Sequence, residues 1–205
     1  TFVPPLIEAW LKARMAGSDA IHVVNMPSTP PGWSAGKWGE WYADLDGGLD
    51  HYDPADDEHI YANALMRTAG AEVMGRKMYE VMSYWDQLDV DDPATPEVGA
   101  EFARYWRETP KLVVSRGHPE LGPNATKLEG DVVETVRALR STDGPPIGVG
   151  AGADLFATLA EAGLIDRYRW LVIPKAIGRG KSLFSSLTQP LDLRLVGTRT
   201  FDSGA

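Results

Sequence analysis

Three glycines at alternate positions, Gly148, Gly150 and Gly152 in "PPIGVGAGADLFATLAEAG", stand directly before an apolar helical pattern. A helix start carries unpaired N–H groups and the positive end of the helix dipole, both suited to a diphosphate. Glycine lets such an anion approach the backbone more closely than any side chain would allow. The spacing is not the G-x-G-x-x-G fingerprint, however, and a tight strand-to-helix connection explains the run on its own. Two arginines bear on the choice. "GAEVMGRKMYE" and "PKLVVSRG" each end a strand pattern with a small residue followed by arginine, Arg76 and Arg116. If those strands run parallel, both arginines emerge on the ligand side of an open α/β sheet, on one rim with the glycines. A guanidinium there suits a phosphate through its planar fork of donors. The plain alternative is a pair of solubilising surface residues.

Other chemistries find less support. "DHYDPADDEH" gathers His51, Asp53, Asp56, Asp57, Glu58 and His59, but its acids stand where a helix first turn prefers them. Its spacing matches no zinc or calcium motif, so no metal site is expected. Ser28, Ser34 and Ser115 lie in no G-x-S-x-G elbow, and the spacing of His22, His51, His59 and His118 nominates no base. The absence of cysteine excludes disulfides, thiolate metal sites and a cysteine nucleophile. A net charge of −9 disfavours nucleic acid and anionic membranes as partners. No stretch approaches the ~18 apolar residues of a membrane span, and "TFVPPLIEAWLKARMAG" reads as an amphipathic helix rather than a secretory signal. A soluble, cytoplasmic protein acting on a small molecule is expected.

The elements that must position these residues alternate along the chain. Strand patterns occur at "AIHVV" (20–24), "AEVM" (71–74), "KLVVS" (111–115), "PIGV" (146–149), "YRWLVI" (168–173) and "LDLRLV" (191–196). Helix patterns lie between them. "DPADDEHIYANALMRTAG" has Asp53 as a cap, Pro54 at the first helical position and Gly70 as a stop. "KMYEVMSYW" and "TPEVGAEFARYWRE" follow, then "DVVETVRALR", where Asp131 and Glu134 stand at capping-box spacing. "DLFATLAEA" ends at Gly163. Interleaved strands and helices predict one α/β domain of 205 residues with a sheet covered on both faces.

These segments resemble the dihydrofolate-reductase-like reductases, a superfamily that includes the reductase domain of bacterial riboflavin biosynthesis. "AEVMGRKMYE", "KLVVSRG", "VGAGADLFATLAEAGLIDRYRWLVIPKAIGRGKSLF" and "LVGTRTFDSG" carry the likeness in this order, over about residues 44–204. The resemblance implies a mixed, mainly parallel sheet, bound NADPH and hydride transfer to a C=N or C=O of a small planar substrate. It implies that Gly75 and Arg76 form a cofactor-binding turn and that Ser115 and Arg116 lie near the adenosine 2′-phosphate. Gly150, Gly152, Ala153 and Asp154 would form the diphosphate loop. Asp166, Pro174, Gly178, Gly180, Lys181 and Phe184 match a downstream framework motif. With these matches beside it, the glycine run reads as a phosphate cradle, and Arg116 favours NADPH over NADH. Homodimers are common in the family, although nothing in this sequence requires one.

Residues 1–43, with their predicted helix, strand and tryptophan-rich loop, are atypical beside the core at 44–205. Relatives usually open with a strand ending in Ser-Leu-Asp-Gly, whose aspartate lies close to the substrate. Counting back from Asp46-Gly47 puts Lys37, Trp38, Gly39 and Glu40 in its place. Glu40, Asp44 and Asp46 are then the candidate proton donors, with solvated loop acids as the alternative. Trp33, Trp38, Trp41 and Tyr42 would form a stacking wall over a planar substrate, or else core plugs or a dimer contact. A relative turned to non-redox chemistry, as a cyclase, lyase or small-molecule binder, stays open beside the reductase reading.

Overall fold

The computed structural model describes residues 54–174 and 182–205 in full, and residues 21–25 through their backbone. The N-terminal helix, Glu40, Asp46, Trp38, Trp41, Tyr42, Gly178, Gly180 and Lys181 lie outside the described residues. Six strands form one sheet: β1 (Ile21–Asn25), β2 (Ala71–Gly75), β3 (Lys111–Val114), β4 (Ala125–Lys127), β5 (Ile147–Gly150) and β6 (Arg167–Trp170). Their spatial order is β4-β3-β2-β5-β1-β6, and every ladder is parallel. No antiparallel pair occurs among the described residues.

The helices are α1 (Asp56–Thr68), α2 (Arg76–Met82), α3 (Tyr84–Gln87), α4 (Glu97–Glu108), α5 (Val132–Arg140) and α6 (Ala153–Glu161). Strand alternation sends neighbouring side chains to opposite faces. On one face Val73, Leu112, Ile147 and Val149 pack with Val136 and Leu139 of α5 and Phe156 and Leu159 of α6. On the other, Met74 and Val113 meet Met66 of α1, Met78 of α2, Trp85 of α3 and Phe102 and Trp106 of α4.

Several local expectations shift. α1 begins at Asp56 with Ala55 as its cap, because the Glu58 carboxylate accepts the Ala55 amide at 2.9 Å. Pro54 precedes the helix, and Asp53 lies outside the described residues. Asp131 caps α5 by accepting the Glu134 amide at 2.9 Å, while Glu134 itself turns to Arg137. β6 stops at Trp170, its last register partner being Asn25. Residues 191–196 form no strand despite their alternation, and Leu193, Leu195 and Val196 are exposed. Alternation permits a half-buried strand but creates none without a neighbour to pair with.

The chain's last turn docks on the start of α1. Asp57 accepts the Asp202 amide at 3.0 Å, and the Ser203 hydroxyl donates to Glu58. Phe201 is buried against Tyr61, with rings 5.6 Å apart and the Arg199 guanidinium over both.

Beneath this packing lie two buried titratable side chains, Glu72 and Lys111. Glu72 on β2 is in register with Lys111 on β3 and with Gly148 on β5. Lys111 is fully buried, donates through Nζ to the carbonyls of Trp106 and Thr109, and sits 4.4 Å above the Trp106 ring. Burial pushes the Glu72 carboxyl up to about 8 against the pull of Lys111, and holds the Lys111 ammonium down to about 8. A Cβ at Gly148 would fall 2.0 Å from Glu72 Oε1, so the glycine makes the room this carboxyl occupies.

Two predictions follow from that row. Gly148→Ala destabilises the fold by about 1–3 kcal/mol, measured by urea denaturation. Gly150→Ala costs less, since its nearest neighbour, 2.9 Å away, is the mobile methyl end of Met74. The second concerns pH. Glu72 binds its proton more tightly folded than unfolded, so its contribution to stability is full below its ordinary range and is lost as pH rises through about 8. Glu72→Gln therefore gains stability relative to wild type between pH 5 and pH 8. A flat difference in urea midpoints over that range would show that folding does not raise the affinity of this carboxyl for its proton.

Candidate functional site

The carboxyl ends of β2, β3 and β5 open onto one cleft of about 1690 Å³. It exceeds the roughly 300–1,000 Å³ of ordinary ligand pockets and leaves room for an elongated ligand. Its position follows from the strand order. The chain leaves β2 into α2 on one face of the sheet and leaves β5 into α6 on the other. Adjacent parallel strands whose following helices diverge leave a crevice between them, the usual ligand site of open α/β sheets.

Sequence residues from all three strand ends meet there. Gly75 and Arg76 contribute from β2, Ser115 and Arg116 from beyond β3, and Gly152, Ala153 and Asp154 from beyond β5. The two arginines differ. Arg76 is half-exposed and pairs with Glu80 one helical turn on, at 3.0 Å. Arg116 is exposed, and among the described residues no ion pair or hydrogen bond engages its guanidinium. Ser115 Oγ accepts the Gly117 amide at 3.1 Å, which tightens the turn carrying Arg116.

The glycine run divides between two tasks. Gly148 and Gly150 lie on the same face of β5 and look into the sheet's own packing, toward Glu72 and toward Met74 and Met78. Gly150 is absent from the cleft wall. Gly152 is in it, as the cap residue of α6, and among the described residues no side chain caps that helix. The first-turn N–H groups of α6 thus start at the cleft without a side-chain partner. Gly75 has room for a Cβ, its nearest neighbour being Leu155 Cδ2 at 3.8 Å.

Other residues reach the cleft that the sequence did not nominate. His118 and Lys77 line it beside the arginines, and Ser182, Ser185 and Ser186 line it opposite. Only the position of Arg116 at a strand end hints at His118, two residues further on. Of the framework residues, Asp166 pairs with Arg140, and Phe184 packs edge-on to Phe156 at 5.6 Å. Pro174 is exposed and reaches Gly204.

The acidic first turn of α1 has other work. Asp57 and Glu58 hold the last turn of the chain, and His59 is buried between Trp85 and Phe102 at ring distances of 5.7 and 5.8 Å. Burial holds its imidazole below the ordinary value, against the pull of Asp56. Among the described residues no cluster of three His, Asp or Glu side chains is placed to hold a metal. No helix there is long and apolar enough to cross a membrane.

A parallel sheet with this crevice and these flanking helices defines a dihydrofolate-reductase-like α/β protein. The fold is shared with the crystal structure of a candidate riboflavin biosynthesis protein from Shewanella sp. PV-4, at a TM-score of 0.53. That likeness covers 90% of this chain and 94% of the other, at 22% sequence identity. Residues 40–205 match the RibD C-terminal domain, and the chain belongs to that family. It is also 32% identical over 130 residues to the uncharacterized protein YyaP of Bacillus subtilis strain 168, across 63% of this chain and 67% of that protein. Membership supports a reductase-like role.

Because Arg116 has no described partner, Arg116→Ala should change folding stability by no more than about 0.5 kcal/mol. A larger shift in thermal midpoint would mark the residue as part of the scaffold.

Proposed function

We propose that the protein is an NADPH-dependent reductase that delivers a hydride to a C=N or C=O carbon of a small planar substrate. The observation that carries the reading is the meeting of three strand ends, with Arg116 and the uncapped start of α6, on one cleft at the switch point of the sheet. Family membership supports the same assignment.

The residues present fit the cofactor. The cleft is large enough by volume for a dinucleotide, and the α6 N–H groups with Gly152 offer donors to a diphosphate. Arg116, with Ser115 beside it, answers a 2′-phosphate through a bidentate contact. Arg76 contributes less, since Glu80 already shares its charge. When bound, NADPH supplies the hydride. The chain's part is to orient the ring and to shield the reacting atoms from water. Where the chain departs from the family's opening motif, Glu40 or Asp46 would donate the balancing proton, and Trp38, Trp41 and Tyr42 would stack on the substrate. Two copies of the chain would form the working protein, as is common in the family.

Tryptophan-fluorescence titration with NADPH and NADH tests the assignment. Wild type is expected to bind NADPH at least tenfold more tightly than NADH, and Arg116→Ala to erase that preference while leaving NADH affinity unchanged. Failure of either nucleotide to bind at millimolar concentration would overturn the reading. NADPH oxidation that requires a second substrate separates a reductase from a non-redox relative.

A further inference from the structure

Residues 182–188 are fastened along α6 at both ends of that helix. Leu183 and Leu187 pack against the core beneath it. Thr188 donates to Glu161 at the far end of α6 through both its amide and its hydroxyl. At the near end, the Ser186 hydroxyl donates to Asp154 Oδ1 at 2.7 Å, across 32 residues of chain. Both residues of this second contact line the cleft.

Asp154 is the second residue of α6 and so sits within the first turn, whose N–H groups no described side chain caps. A carboxylate there is drawn toward those donors, because a helix start favours negative charge. In that posture it would compete with any anion presented to the cleft. The hydroxyl of Ser186 instead fixes it toward the 182–188 segment.

We infer that Ser186 is a positioning residue of the cleft: it holds the Asp154 carboxylate aside, so that the first-turn N–H groups of α6 are open to the anionic part of a ligand. The inference rests on the dinucleotide reading above and adds to it an internal competitor and the contact that restrains it. Ser186 touches neither hydride nor substrate in this account. Its effect passes through Asp154.

Fluorescence titration with NADPH, on Ser186→Ala, Ser186→Thr, Asp154→Asn and the Ser186→Ala/Asp154→Asn double variant, tests it. Releasing the carboxylate should weaken binding roughly two- to fivefold, the range of a charge at a helix end. Threonine keeps the hydroxyl and should retain wild-type affinity. The double variant should recover wild-type affinity or better, a non-additivity that a packing defect would not produce. If Ser186→Ala binds as wild type does, or if the double variant stays as weak as Ser186→Ala, the inference is wrong and the dinucleotide reading survives. If wild type itself binds no NADPH, both are overturned.

Discussion

The fold turns on whether β5 can lie between β2 and β1, and it can because one of its faces carries no side chains. Ile147 and Val149 fill the layer under α5 and α6, while Gly148 and Gly150 leave the opposite layer to their neighbours. Into that space come Glu72 above Gly148 and the methionines Met74 and Met78 above Gly150. A carboxyl so deeply buried is tolerable only in neutral form or with a partner, and Lys111 stands in register on the next strand. The bare face of one strand and the buried Glu72 and Lys111 of the next two are a single constraint. Unbranched methionine side chains suit the remainder, since they adapt to irregular gaps.

From that packing the cleft follows without further design. From β2 the chain crosses to β3 on one side and from β5 to β6 on the other, so right-handed crossovers put the following helices on opposite faces and the space between the strand ends stays open. The residues at those ends are free of core duties and can differ while the scaffold stays the same. This explains how the chain shares a fold with a protein of only 22% identity and why function has to be argued from the cleft.

The sequence made most of this architecture legible, and its errors have physical causes. Helices with strong stripes, such as α4 and α5, lay where the pattern put them. β4 escaped notice because Ala-Thr-Lys carries no hydrophobic signal; its backbone pairing with β3 alone defines it. The stretch 191–196 erred the other way, with alternation and no ladder. The glycines were read as one feature, yet glycines two apart in a strand share a face. Only Gly152, beyond the strand, reaches the cleft. Glu72 would pass for a solvent-facing strand residue, since nothing in its own segment shows that Gly148 of β5 leaves it room inside the covered sheet. Arg76 and Arg116 looked alike in sequence, and only the Glu80 carboxylate one turn on tells them apart.

The docking of the last turn on α1 bears on how the chain folds. The partners Asp57 with Asp202 and Glu58 with Ser203 are separated by 145 residues. Closing a loop of that length costs about 4 kcal/mol of chain entropy, more than two exposed or half-buried hydrogen bonds return. Those contacts therefore cannot lead; they close only after the sheet has drawn the two segments together. During synthesis the seal at the start of α1 waits for Asp202 and Ser203, which leave the ribosome after every described strand of the sheet.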